Sequence, residues 1–167
     1  MVLSAASRKY GLYQTSVGLL TLSSEGDFLT EVLFGNAMKP DAVEQKNAVT
    51  DQAVLQLEEY FAGKRKNFTL PLLLRGTSFQ KQVWQALRTI PYGQTCSYKD
   101  IAVQIKSPLA YRAVGMANHN NPIVIIVPCH RVLGADGSLT GYGGGLPLKS
   151  MLLELEQRYL HAPSPFL

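Results

Sequence analysis

The sequence predicts a two-part α+β/α/β protein: a small β-sheet with one helix, then a mostly helical part containing a helix-turn-helix. Three observations carry this. The early stretches YGLYQTSVGLLTLSS and FLTEVLFG are rich in β-formers. Helical apolar spacing dominates after Gly76. Two short helical patterns there meet at a tight turn, Lys106-Ser107. The 167 residues suffice for one domain or two small ones. We divide them into an α/β scaffold, 1–75, and a second domain, 76–167, that carries the chemistry.

In the first part, Glu25-Gly26-Asp27 is the predicted turn between the β-rich stretches. TDQAVLQLEEYFAG then sets Val54, Leu57 and Phe61 at helical spacing, and Gly63 ends the helix. KRKNFTLPLLL reads as a connecting strand. This part has no cysteine, no histidine and no carboxylate pair suited to catalysis.

In the second part, Thr77 with Gln80 forms a capping box, and Phe79, Val83, Trp84 and Leu87 make the apolar stripe that follows. Pro91-Tyr92-Gly93 stops that helix. Ser97 with Asp100 caps a short helix, YKDIAVQI. Ser107 and Pro108 suit the N-cap and first turn of the next, PLAYRAVGMANHN. At about 100° per residue, Ala110, Ala113, Val114 and Ala117 share one face, expected inward, while Arg112, Gly115 and His119 share the other. A mid-helix glycine costs about 1 kcal/mol relative to alanine. On an outward face it suits close approach by a partner, although an ordinary αα-hairpin explains the pattern as well. In the last helix, LPLKSMLLELEQRYL, the stripe is Leu148, Met151, Leu152, Leu155 and Tyr159, and Glu156 falls at its edge.

Charge and cysteine usage narrow the function classes. Residues 1–75 carry eight basic and eight acidic side chains; residues 76–167 carry eight basic and four acidic, so the whole net charge of +4 lies in the second part. That excess suits contact with phosphates. The longest apolar run, Ile123–Val127, is far too short to span a membrane. The N-terminal MVLSAASRKYG has no signal-peptide core. The only cysteines are Cys96 and Cys129, with no C-x-x-C. No disulfide framework or metal site is expected, and the compartment is expected to be the reducing cytoplasm.

The run Ile123–Val127 reads as a core strand that ends at Pro128 and delivers Cys129, His130 and Arg131 in succession. Cys129 is a nucleophile, a metal ligand or a small core residue. As a nucleophile it needs a base to draw off its proton. In an extended strand Cys129 and His130 point to opposite faces, so a direct bond needs a bend and a water relay otherwise. A base needs a third group to orient it, and Glu156 is the candidate.

PCHRVLG, RAVGMANHNNPIVIIV, GTSFQKQVWQALRTIPYGQTCSY and GYGGG together resemble the methylated-DNA–protein-cysteine methyltransferases, the 6-O-alkylguanine-DNA alkyltransferases of direct DNA repair. The resemblance runs continuously from about Gly76 to Glu156; the first part matches only in general layout. It implies a ribonuclease-H-like first part and a winged-helix-like second part. It implies that Cys129 irreversibly accepts the alkyl group of a flipped-out 6-O-alkylguanine, once per protein molecule and without a cofactor; repair of 4-O-methylthymine is left open. His130 would be the base through a bound water, Glu156 would orient it, and Asn121 would brace the site. Arg112 would fill the space of the flipped nucleotide. Tyr98 would meet the base and adjoining phosphate. Ala110, Tyr111, Ala113 and Gly115 would contact the minor groove of double-stranded DNA. Tyr142, Gly143, Gly144 and Pro128 would line the alkyl pocket. The protein would act as a monomer, with no metal and no membrane. Two departures stand out: Lys106 occupies a turn position where relatives often carry glycine, and Tyr111 replaces a smaller residue. A lesion-binding module without transfer and a cysteine hydrolase are the alternative functions.

Overall fold

The computed structural model describes residues 8–166, and the chain divides into two compact units. One holds the chain up to Leu74 together with the stretch from Ala162; the other is Arg75–His161. The reading of the N-terminus as lacking a signal core rests mainly on residues 1–7, outside the described residues.

In the first unit, β1 (Arg8–Thr15), β2 (Gly18–Glu25) and β3 (Phe28–Phe34) form an antiparallel meander. A short β4 (Val43–Glu44) pairs parallel to β1, giving the order β3-β2-β1-β4. The first β-rich stretch is thus two strands, folded back where Thr15 pairs with Gly18. Glu25 belongs to β2 rather than to the turn and pairs with Phe28, so Gly26 and Asp27 alone make the reversal. Paired on both edges, β2 is also covered on both faces, since every residue from Leu20 to Glu25 is buried. Its buried Thr21 hydroxyl donates to Gly35 O at 2.7 Å and accepts from Ala37 N at 2.8 Å, so the polar alternation in LLTLSS does not mark a wet face.

Helix α1 (Ala48–Phe61) packs on the meander. Asn47 and Thr50 form its capping box, and Gly63, at φ +75°, takes the left-handed position just past its end. It buries Ala53, Gln56, Leu57, Tyr60 and Phe61, while Val54 is only half-buried. KRKNFTLPLLL is not a strand. Leu72 makes an isolated bridge to Leu29, and Pro71 has no N–H to extend the ladder. The stretch from Ala162 clasps the start of that segment: Lys66 Nζ donates to Ala162 O at 2.8 Å, and the Arg65 guanidinium lies 4.5 Å from the Phe166 ring centre.

In the second unit, α2 (Ser78–Leu87) and α3 (Tyr98–Gln104) start at the predicted capping boxes, Thr77/Gln80 and Ser97/Asp100. They pack with α4 (Tyr111–His119). Trp84 Nε1 donates to Ala117 O at 2.9 Å and ties α2 to α4. Two-residue strands β5 (Cys96–Ser97) and β6 (Val132–Leu133) pair in parallel, and α5 (Leu146–Arg158) closes the unit.

Three expectations here are corrected. First, α4 starts later than predicted. Ser107 is not its N-cap: Ser107 O accepts from Ala110 N at 2.9 Å to close a turn, and Ala110 is the cap. Second, the buried face of α4 is Val114, Ala117 and Asn118, whereas Ala113 is exposed and Ala110 half-buried. The stripe is set by Trp84 and by the carbonyl that Asn118 reaches, so it rotates past the alanines. Third, Ile123–Val127 is buried but is not a strand. Ile125 adopts φ +72° and Val124 bridges Val127, a compact fold-back.

Candidate active site

The fold-back is held from inside by Asn121. Its amide donates to Val127 O at 2.8 Å, and its oxygen accepts from Ile123 N at 3.0 Å. Pro128, at φ −82° and ψ 63°, then makes a three-residue turn in which Cys129 N donates to Val127 O at 2.8 Å. Cys129–Arg131 form a single 3-10 turn, not a strand end. The opposite-face argument therefore does not apply, and all three side chains turn into the unit: Cys129, His130 and Arg131 are buried.

Glu156 is the centre of this arrangement. Sequence periodicity placed it at the edge of a stripe; it is fully buried, because the inward face of α5 is Lys149, Leu152, Leu155 and Glu156. Its Oε2 lies 2.6 Å from His130 Nε2. Arg131 Nε donates to Oε1 at 2.9 Å and Arg131 Nη2 to Oε2 at 3.1 Å. Gly93 N donates to Oε1 at 2.9 Å, so the turn after α2 also closes on this carboxylate. Arg131 Nη1 spans to Ile90 O at 2.7 Å. Burial would raise the Glu156 pKa, but His130 and Arg131 outweigh it and hold the carboxyl at about 2. The carboxylate is therefore ionised, so the facing His130 Nε2 carries the proton and Nδ1 is the basic nitrogen.

Burial dominates the other two ionisable groups. It pushes the Cys129 thiol up to about 11, against a hydrogen bond from Asn121 and the charge of Lys149. It lowers the His130 pKa below the usual histidine value, against Glu156. The resting pair is therefore a neutral thiol and a neutral imidazole, so a thiolate at Cys129 would form only by loss of its proton to a base.

Lys149 was not singled out from the sequence. It is fully buried, and Nζ donates to Val132 O at 2.7 Å and to Thr140 O at 2.8 Å. Thr140 Oγ1 donates in turn to Tyr98 OH at 3.0 Å. One ammonium thus ties β6, the segment before Tyr142 and the Tyr98 side chain into the neighbourhood of Cys129. Its signal was present: Lys149 precedes Glu156 by seven residues, two turns on the same helix face. The sequence sets Arg131 beside Cys129 and His130 but carries no sign of its pairing with Glu156.

The remaining candidates separate by position. Pro128 and Tyr142 are buried, and burial together with Cys129 raises the Tyr142 pKa. Gly143 is exposed, with nothing within 4 Å of where a Cβ would stand, and Gly144 is half-buried. Tyr98 is half-buried beside Gly115, where an added Cβ would lie 3.8 Å from the ring in ordinary contact. Arg112 and Tyr111 are exposed on α4, and Lys99 Nζ sits 5.4 Å from the Tyr111 ring centre. Arg112 is not brought to the Cys129 cluster in this structure.

Comparison with known proteins agrees across both units. Residues 8–74 match the ribonuclease-like domain of 6-O-methylguanine DNA methyltransferase, and residues 78–158 match its DNA binding domain. The methylated-DNA–protein-cysteine methyltransferase of Methanosarcina barkeri is 47% identical over 156 residues, covering 90% of this chain and 98% of that protein. That of Mycobacterium leprae is 52% identical over 144 residues, 84% of this chain and 87% of that protein. The Mycobacterium tuberculosis OGT crystal structure in complex with DNA superposes with a TM-score of 0.85 at 50% identity, covering 90% of this chain and 94% of that one. With both halves matched and a buried cysteine set beside a histidine–glutamate–arginine cluster, this chain belongs to the methylated-DNA–protein-cysteine methyltransferase family.

Proposed function

We propose that the protein repairs alkylated DNA by moving the alkyl group of 6-O-alkylguanine onto Cys129, once and irreversibly. The observation that carries this is the buried thiol beside a histidine whose tautomer is set by an ionised glutamate. In the reaction the Cys129 proton passes through a water to His130, Sγ attacks the alkyl carbon, and the new S–C bond replaces the C–O bond. The electron pair returns to the guanine, which regains a proton and is restored as the ordinary base within the DNA. Asn121 and Lys149 favour the developing thiolate by a hydrogen bond and by charge.

The second unit is the DNA-binding and acceptor domain, and the first is the scaffold. The parallel fourth strand beside an antiparallel meander supports a ribonuclease-H-like first unit; the α3–α4 pair with the β5–β6 ladder supports a winged-helix-like second. Helix α4 enters the minor groove of the duplex, Arg112 fills the space of the flipped nucleotide, and Tyr98 faces the base and its phosphate. Ala110, Tyr111, Ala113 and Gly115 contact the groove, and Tyr142, Pro128, Gly143 and Gly144 surround the alkyl group. The protein acts as a monomer, and two free thiols suit the reducing cytoplasm.

The test is intact-protein mass after incubation with a duplex containing 6-O-methylguanine. A gain of one methyl that saturates at one equivalent and maps to Cys129 is the expected result. Cys129→Ser is expected to abolish the gain and keep lesion binding. An unchanged mass with the duplex bound would make the protein a lesion sensor instead.

A further inference from the structure

The face of α4 that carries Arg112 has two large apolar side chains which the protein itself does not use. Leu109, in the turn just before the helix, is 89% exposed, and Met116 is 63% exposed. Met116 lies one turn after Arg112 on the same face, and Leu109 lies three residues before it. Exposed leucine is ordinary when scattered. Here the two flank the one cation on a helix face whose other members are small or polar. The charge of the segment says what they meet: from Ile101 to Ala135 there is no aspartate or glutamate, while Lys106 and Arg112 are exposed. An apolar pair around an arginine, on a segment without acidic side chains, suits a polyanion with an apolar interior, and base-paired DNA is that. Apolar side chains entering the minor groove part base steps.

We infer that Leu109 and Met116 form a two-sided wedge that parts the base steps beside the lesion, so that Arg112 enters a gap already opened. Tyr111, seated under Lys99, points to neither side of this pair in sequence spacing and is not part of the wedge. The inference rests on the reading of α4 as the DNA-entering helix and adds to it the residues that separate the stack.

The experiment compares the parent with the double variant Leu109→Ala/Met116→Ala on a duplex carrying 2-aminopurine next to 6-O-methylguanine. Both side chains are exposed, so the variant is expected to keep the parent's thermal unfolding. It is expected to lose the 2-aminopurine fluorescence rise, to repair the duplex about tenfold more slowly, and to react with free 6-O-methylguanine at the parent's rate. The salt slope of binding is expected to be unchanged, because no charge is removed. Leu109→Lys adds a charge and is expected to bind more tightly without restoring the fluorescence rise. Parent-like fluorescence and duplex repair in the double variant would overturn the wedge. A parent that unstacks the duplex but transfers no methyl group would overturn the acceptor reading and leave the wedge standing.

Discussion

Glu156 takes hydrogen bonds from Gly93, His130 and Arg131 and has no exposure, so its charge is balanced by protein groups. Removing one partner from a buried ion pair leaves the other uncompensated, which typically costs about 3–5 kcal/mol. Glu156→Gln is therefore expected to lower stability by about 3 kcal/mol, read by urea unfolding at neutral pH, and to slow methyl transfer. The pH direction follows from the carboxyl lying at about 2, below its ordinary 4.5. Its contribution is whole above about 4.5 and is lost as pH falls toward about 2, a window that Glu156→Gln should erase from the unfolding curve. His130 is lowered from 6.5, so the base is neutral at and above that value. Single-turnover transfer is expected to be flat from pH 7 upward and to fall only on the acid side of 6.5; a fall centred above 7 would show a charged imidazole at rest. Cys129, His130 and Glu156 were legible as candidates because their types announce chemistry. The partnership of Arg131 with Glu156 and the placing of Lys149 were not, because both depend on α5 rotating its polar residues inward.

Lys106 and Gly115 show how elements were shaped by local rules and by their surroundings. Lys106 sits at φ +62°, where an L side chain is strained by roughly 1–2 kcal/mol and glycine is not. Lys106→Gly is expected to stabilise the second unit by about 1 kcal/mol, seen as a higher urea midpoint, net of the entropy glycine adds to the unfolded chain. At Gly115 the protein has room for a methyl group against Tyr98. Gly115→Ala is accordingly expected to raise stability by about 0.5–1 kcal/mol through helix propensity while weakening binding to duplex DNA. Gains in both would remove the case for close approach at that position. The capping boxes at Thr77 and Ser97 were readable because a cap is written in four consecutive residues. The fold-back at Ile123–Val127 was not. Five apolar residues suit a strand by periodicity alone, and only the paired hydrogen bonds of Asn121 turn them into a loop.

Across the whole molecule, the charge surplus of the second part is differently distributed from what composition suggests. Arg131 and Lys149 are buried and serve the site, leaving six exposed basic residues against three exposed acidic ones. The surface remains basic, so affinity for undamaged duplex is expected to fall steeply and log-linearly with salt, checked by titration at several salt concentrations. A salt-independent affinity would leave α4 without its electrostatic footing. The tail is a similar case: it reads as an extension of the second part, yet from Ala162 it packs with the first unit through Lys66 and Arg65. The amino-acid sequence alone determined the two-part order, the capped helices, the family and the candidate cluster of cysteine, histidine and glutamate. Each of these is encoded in local patterns or in residue types with few other uses. Only the tertiary structure decided which way α4 and α5 face, that Cys129 stands on a 3-10 turn, and that a buried arginine and lysine complete the cluster. The physical reason is that a polar side chain is buried only where partners from distant parts of the chain meet it, and no local pattern carries that information.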